Sequence, residues 1–187
     1  MQAARGTSLS DEQAAPGPSR ARSGSSRPRI LLAGVALVAY GVDLVSKQLA
    51  VARLADGDVP VLGDWFVLHL TFNPGAAFSL GTDFTVVLSC LAVAAVCVVV
   101  VLARRVRSLV WALALGLLLG GVAGNLSDRL FRDPGPMRGH VVDLFMVPHW
   151  PVFNVADVCI NVAAGLIVLQ AFRGVSLDGS RERATAT

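Results

Sequence analysis

Four long apolar runs constrain this chain more than anything else in it. They fall at about residues 30–50, 84–103, 109–126 and 154–172. Each is close to the ~20 residues a helix needs to cross bilayer hydrocarbon at ~1.5 Å per residue. A segment in lipid must satisfy its own backbone polar groups, so runs of this length read as helices. The chain is 54% hydrophobic and 16% charged, too apolar for an ordinary soluble domain. The fold class that follows is an all-α membrane protein with four transmembrane helices and a small extracytoplasmic β element.

The β element comes from the segment after the first run. In Trp65 to Asn73, Phe66, Leu68, Leu70 and Phe72 alternate strictly and share one side of a predicted strand. The strand ends in Asn73-Pro74-Gly75-Ala76-Ala77-Phe78, where Pro and Gly signal a turn and the small residues permit close backbone approach. Residues 1–28, rich in Ala, Gly, Ser, Pro and Arg, cannot bury enough apolar surface to order themselves and read as a disordered cytoplasmic arm. Residues 29–173 form the membrane domain, and 174–187 a polar cytoplasmic tail. Gly116, Gly120 and Gly124 recur every four residues, a stripe that lets helices approach closely in lipid.

Basic residues set the orientation. Eleven of the sixteen Lys and Arg lie in the N-terminal arm, at Arg104, Arg105 and Arg107, or in the C-terminal tail. The positive-inside rule then makes both termini cytoplasmic and turns the strand, the turn and the acidic stretch outward. The isoelectric point near 9.1 does not indicate nucleic acid, because the arginines flank apolar runs instead of covering one face of a domain. Cys90, Cys97 and Cys159 form no C-x-x-C, and His69, His140 and His149 are scattered. No metal site or cofactor is expected.

The chemistry concentrates at one membrane boundary. Asp43 and Lys47, one helical turn apart, lie toward the outer end of the first run. Lys47 either snorkels outward as a structural charge or helps orient a nearby site. Asn125, Asp128 and Arg129 close the third run; Asp143 sits among apolar residues; Asn154 and Asp157 open the fourth run. A helix cap accounts for Asn154 but less readily for a carboxylate one turn into a membrane helix. Arg129 offers a planar fork for a carboxylate. Two carboxylates held together share one proton: the ionised member activates water, and the protonated one polarises a carbonyl. No G-x-S-x-G or H-E-x-x-H is present, and Ser46 and Lys47 diverge on a helix. The residues alone leave open which two of Asp128, Asp143 and Asp157 pair. Proton relay and purely structural readings compete with this one, although acids at one boundary do not form a path across the bilayer.

Taken in order, Asp43 with Lys47, Asn73-x-Gly75-Ala76-Ala77-Phe78, Gly121-x-x-Gly124-Asn125-x-x-Asp128-Arg129, Val141-Val142-Asp143 and Phe153-Asn154-x-Ala156-Asp157 resemble the lipoprotein signal peptidases, the type II enzymes of bacterial membranes. The resemblance covers roughly residues 30–172. It implies a plasma-membrane aspartic protease that cuts diacylglyceryl-modified prolipoproteins just before the lipid-bearing cysteine and is inhibited by the cyclic peptide globomycin. It also implies that Asp143 and Asp157 form the dyad. Asn73, Asn125, Arg129 and Asn154 would line the pocket, with Asp43, Lys47 and Asp128 as polar supports. Two departures stand out: Phe72 precedes Asn73 where many relatives would carry Arg, and the loop at Asp133-Pro134-Gly135-Pro136 is slightly expanded.

Overall fold

The computed structural model describes residues 26–75 and 84–181. Most of the expected N-terminal arm, the Ala76–Phe78 part of the turn and the end of the tail lie outside the described residues. The four runs form helices α1 (Arg27–Arg53), α2 (Thr85–Ala103), α3 (Leu109–Phe131) and α4 (Val155–Phe172). All four are long and apolar enough to cross a membrane. Helix α3 runs past the predicted end of its span, so Asp128 and Arg129 lie in its last turns and not in a loop.

Helices α1 and α3 form the centre of the bundle. The inward stripe of α1 is Leu32, Ala36, Ala39, Asp43, Lys47 and Ala50, spaced three and four residues apart. The glycine stripe of α3 lies against it. A Cβ on Gly116 would come 2.8 Å from the Leu32 carbonyl oxygen, and one on Gly120 2.6 Å from that of Ala36. A Cβ on Gly124 would collide with the Asp43 carboxylate. The stripe therefore serves packing within the chain, and its last glycine makes room for a buried acid. Gly121, on the neighbouring face, admits α4 in the same way at Ala156. Leu37, Val42, Leu91, Val98 and Val168 point outward, an apolar exterior suited to lipid.

Three short strands, β1 (Val59–Pro60), β2 (Val67–Asn73) and β3 (Val141–Met146), form one antiparallel sheet in that order. Val142 and Leu144 of β3 pack on Ala50 of α1 and on Leu54 just past its end, which seats the sheet at one end of the bundle. At the other end Leu32, Val99, Ala112 and Leu115 form a separate apolar cluster.

The sheet departs from the sequence pattern in one consequential place. Leu68 pairs with Phe145, but Thr71 pairs with Asp143, so β2 advances three residues while β3 advances two. This bulge adds one residue and reverses the facing of everything beyond it. Phe72, expected on the side of Leu68, turns away and is 48% exposed. Asn73 turns instead to the side of Asp143, where its amide donates to the carboxylate.

Candidate active site

Two carboxylates and one asparagine form the centre of the site. Asp143 is on β3 and almost fully buried. Its Oδ1 accepts from Asn154 Nδ2 at 2.6 Å and its Oδ2 from Asn73 Nδ2 at 3.0 Å. Asp157 is the third residue of α4. Its Oδ2 accepts from the Asn154 backbone N–H at 3.1 Å, while its own N–H donates to Asn154 Oδ1 at 2.9 Å. This reciprocal capping box accounts for one Asp157 oxygen, more than the sequence reading allowed the cap. The other oxygen, Oδ1, accepts from Asn125 Nδ2 at 2.9 Å. Asn154 thus touches both acids, and Asn125 Oδ1 accepts from it in turn at 3.2 Å.

Behind this centre lies a buried ionic cluster. Lys47 is 1% exposed and does not snorkel. Its Nζ stands 2.8 Å from each of Asp43 Oδ2, Asp128 Oδ2 and Asn125 Oδ1. Its contacts with the two carboxylates are ion pairs, and that with Asn125 is a hydrogen bond. Asp43 Oδ1 reaches across to accept the Ala156 N–H at 2.8 Å. That carboxylate therefore satisfies an orphan donor in the first turn of α4 and complements its dipole. Asp128 is held on both sides: by Arg132 at Oδ1, and by Lys47 and the Val142 N–H at Oδ2. Arg132 is a partner the sequence reading passed over, although its i+4 spacing from Asp128 on a helix was a visible signal.

Arg129 is nearly buried, and its fork takes backbone carbonyls in place of the expected carboxylate. Nη2 donates to the Gly75 oxygen at 2.7 Å and Nη1 to that of Pro74 at 3.3 Å. The turn so held is an Asx turn, with the Gly75 N–H donating to Asn73 Oδ1 at 2.9 Å. With its oxygen engaged there, Asn73 presents Nδ2 to Asp143.

Asn73, Asn125, Arg129, Asp143 and Asp157 line a cavity of about 600 Å³. Apolar residues, among them Trp150, Phe153, Val158 and Val162, line the same cavity. Asn154, Asp43, Lys47 and Asp128 are buried and lie outside this lining. Burial is the main influence on Asp143 and pushes its carboxyl up to about 6, with Asp157 adding to the rise and the amides of Asn73 and Asn154 opposing it. Among the described residues, no group of three or more His, Cys, Asp or Glu is arranged to hold a metal ion.

Comparison with known proteins gives this geometry a context. Residues 35–173 match the family model described as signal peptidase (SPase) II. The chain belongs to the signal peptidase II family. It is 46% identical over 168 residues to the lipoprotein signal peptidase of Leifsonia xyli subsp. xyli, covering 89% of this chain and 77% of that one. It is 50% identical over 155 residues to the corresponding protein of Rhodococcus jostii, with 82% and 78% covered. A solved bacterial membrane enzyme, determined in meso at 2.3 Å resolution, superposes with a TM-score of 0.68 over 84% of this chain and 94% of that one, at 21% identity, and so shares its fold. This peptidase is accordingly a multi-pass membrane hydrolase whose four helices carry a small antiparallel sheet.

Proposed function

We propose that this peptidase removes the signal peptide from diacylglyceryl-modified prolipoproteins, cutting on the amino side of the lipid-bearing cysteine with Asp143, Asp157 and one water. The observation that carries this reading is the double attachment of Asn154, which donates to Asp143 through its side chain and to Asp157 through its backbone. Both acids also line one cavity. Asp128 is the weaker candidate because Lys47, Arg132 and the Val142 N–H already occupy its oxygens.

In the reaction, Asp157 takes a proton from water as the water oxygen attacks the scissile carbonyl carbon. Protonated Asp143 donates to the carbonyl oxygen, giving a neutral gem-diol. Collapse of the diol returns a hydroxyl proton to Asp143 and breaks the C–N bond as Asp157 passes its proton to the leaving cysteine nitrogen, which becomes the new N-terminus. Burial of Asp143 favours its protonated form, while Asp157 sits where the α4 dipole favours negative charge. Asn73, Asn125 and Arg129 position substrate around the pair, and Asn154 holds the two acids together. Lys47, Asp43 and Asp128 hold the supports.

The basic residues support an orientation in the bacterial plasma membrane with both termini cytoplasmic and the site on the extracytoplasmic side. Residues 29–173 make up the catalytic domain of this reading. Globomycin is expected to occupy the same cavity.

The test incubates the purified full chain in detergent with a diacylglyceryl-modified prolipoprotein. Cleavage is expected to persist with a chelator, to stop with globomycin and to be lost in Asp143→Asn and in Asp157→Asn. Cleavage retained by Asp143→Asn but lost in a folded Asp128→Asn would transfer the dyad to Asp128.

A further inference from the structure

Helix α2 carries no Asp, Glu, Lys, Arg or His, and its buried residues are Thr85, Ser89 and Val99. Two of those three bear hydroxyls, both toward the end of the bundle that holds the site. Ser89 bonds back to the Thr85 carbonyl at 3.0 Å, the usual resort of a hydroxyl in an apolar helix, and also to the Met137 carbonyl at 2.8 Å. Thr85 is the first residue of α2. Its Oγ1 donates outward to the Pro74 carbonyl at 2.7 Å, and the residue is 8% exposed.

We infer that Thr85 is a positioning residue of the peptidase, fixing the Asn73–Gly75 turn so that Asn73 keeps its amide on Asp143. The inference rests on the dyad reading above. The Pro74 carbonyl accepts from Thr85 at 2.7 Å and from Arg129 at 3.3 Å. The shorter clamp comes from α2. Its effect reaches Asp143 through two bonds of the Asx turn, Gly75 N–H to Asn73 Oδ1 and Asn73 Nδ2 to Asp143 Oδ2.

The charged groups around Asp143 come from the other helices: Asp157 from α4, Lys47 from α1, and Arg129 from α3, which also carries Asp128. A change at Thr85 alters none of them. Loosening the turn withdraws a donor from the Asp143 carboxylate, which disfavours its ionised form. The carboxyl should then titrate at higher pH.

The experiment compares Thr85→Val, Thr85→Ala, Thr85→Ser and Ser89→Ala in the full chain. It reads kcat and KM on a lipid-modified substrate, and the pH midpoint of the protonated Asp143 carboxyl by difference infrared spectroscopy. Thr85→Val and Thr85→Ala are expected to lower kcat by about 10- to 100-fold with a smaller change in KM, and to raise the midpoint. Thr85→Ser should restore both. Ser89→Ala, which removes a neighbouring hydroxyl bond that does not touch the turn, should lower thermal stability and leave the midpoint in place. Wild-type kcat and midpoint in Thr85→Val and Thr85→Ala, or an equal midpoint shift in Ser89→Ala, would overturn the inference while the dyad stands. Cleavage by Asp143→Asn would instead overturn the dyad, and this inference with it.

Discussion

Asn154 stands 2.6 Å from Asp143, amide nitrogen to carboxylate oxygen, while the other end of the same amide caps α4 at the Asp157 N–H. One side chain therefore sets where β3 and α4 meet. The two duties can be separated by substitution. Asn154→Ser keeps a good N-cap but removes the donor to Asp143. It also leaves the Val142 carbonyl short of a partner, so a stability loss of about 1–2 kcal/mol is expected. The loss in kcat should be larger, about 100-fold, because the acid is no longer held in place. A thermal melt and a single-turnover assay on the same preparation check this, and undiminished turnover would reduce Asn154 to a cap.

Asp143 should announce its environment in a titration. Burial raises its carboxyl to about 6, against 3.8 for a free aspartyl. The protonated form is neutral, so a medium that disfavours charge retains the proton to higher pH. The carboxyl should be largely protonated below pH 6 and largely ionised above it. Difference infrared spectra of the unliganded protein are expected to contain a protonated-carboxyl band that fades with a midpoint near pH 6 and is missing from Asp143→Asn. In Asn73→Ala the midpoint should rise, because an amide that favours the carboxylate is gone. A band fading near pH 4 would mean that water reaches the group freely.

The helices were legible because lipid leaves a long apolar run few alternatives, and their predicted and observed spans differ mainly at the ends. The placement of individual side chains was less legible. The alternation Phe66, Leu68, Leu70, Phe72 is regular, and nothing in it signals the inserted residue that turns Asn73 toward Asp143. Strand β3 is six residues of mostly apolar sequence, too short for periodicity to distinguish it from loop or helix. By sequence Lys47 reads as a snorkelling cation or as one that orients a nearby site, and only α3 supplies Asp128 and Asn125 as the partners that decide between them. For the same reason, Asp128 and Asp143 were equivalent by sequence. Their difference is in what surrounds them: ionic partners for Asp128, amide donors and a cavity for Asp143.

Glycine positions give a paired prediction about packing. An alanine at Gly120 would place its Cβ 2.6 Å from the Ala36 oxygen and 2.7 Å from the Ala39 Cβ, both on a rigid helix. Nothing lies within 4 Å of a Cβ added at Gly34 on α1. Gly120→Ala should force α1 and α3 apart and cost about 1–3 kcal/mol. Gly34→Ala should be neutral or slightly stabilising, since alanine is the better helix former. Melting temperatures in the same detergent decide the matter, and equal values for the two variants would mean that the α1–α3 contact is looser than described.

Lys47 offers the sharpest test of how the site is supported. Its ammonium neutralises two carboxylates that are themselves almost fully buried. Lys47→Met fills a similar volume but leaves Asp43 and Asp128 facing each other across the position of the lost charge. Asp128 still has Arg132 and the Val142 N–H, and Asp43 still has the Ala156 N–H, so neither acid is entirely bare. Breaking a buried ion pair from one side nonetheless costs about 3–5 kcal/mol, most of it from the charge left behind. If that residual charge is the cause, neutralising it should help: Lys47→Met with Asp43→Asn should melt higher than Lys47→Met alone. Turnover should not recover in the double variant, because Asn125 has still lost the shorter of the two bonds to its oxygen, leaving only the one from Asn154 at 3.2 Å to steady the amide it points at Asp157. Recovery of both properties together would mean that Lys47 acts through stability alone, and a single variant that melts like the wild type would show that the buried cluster does not hold the bundle at all.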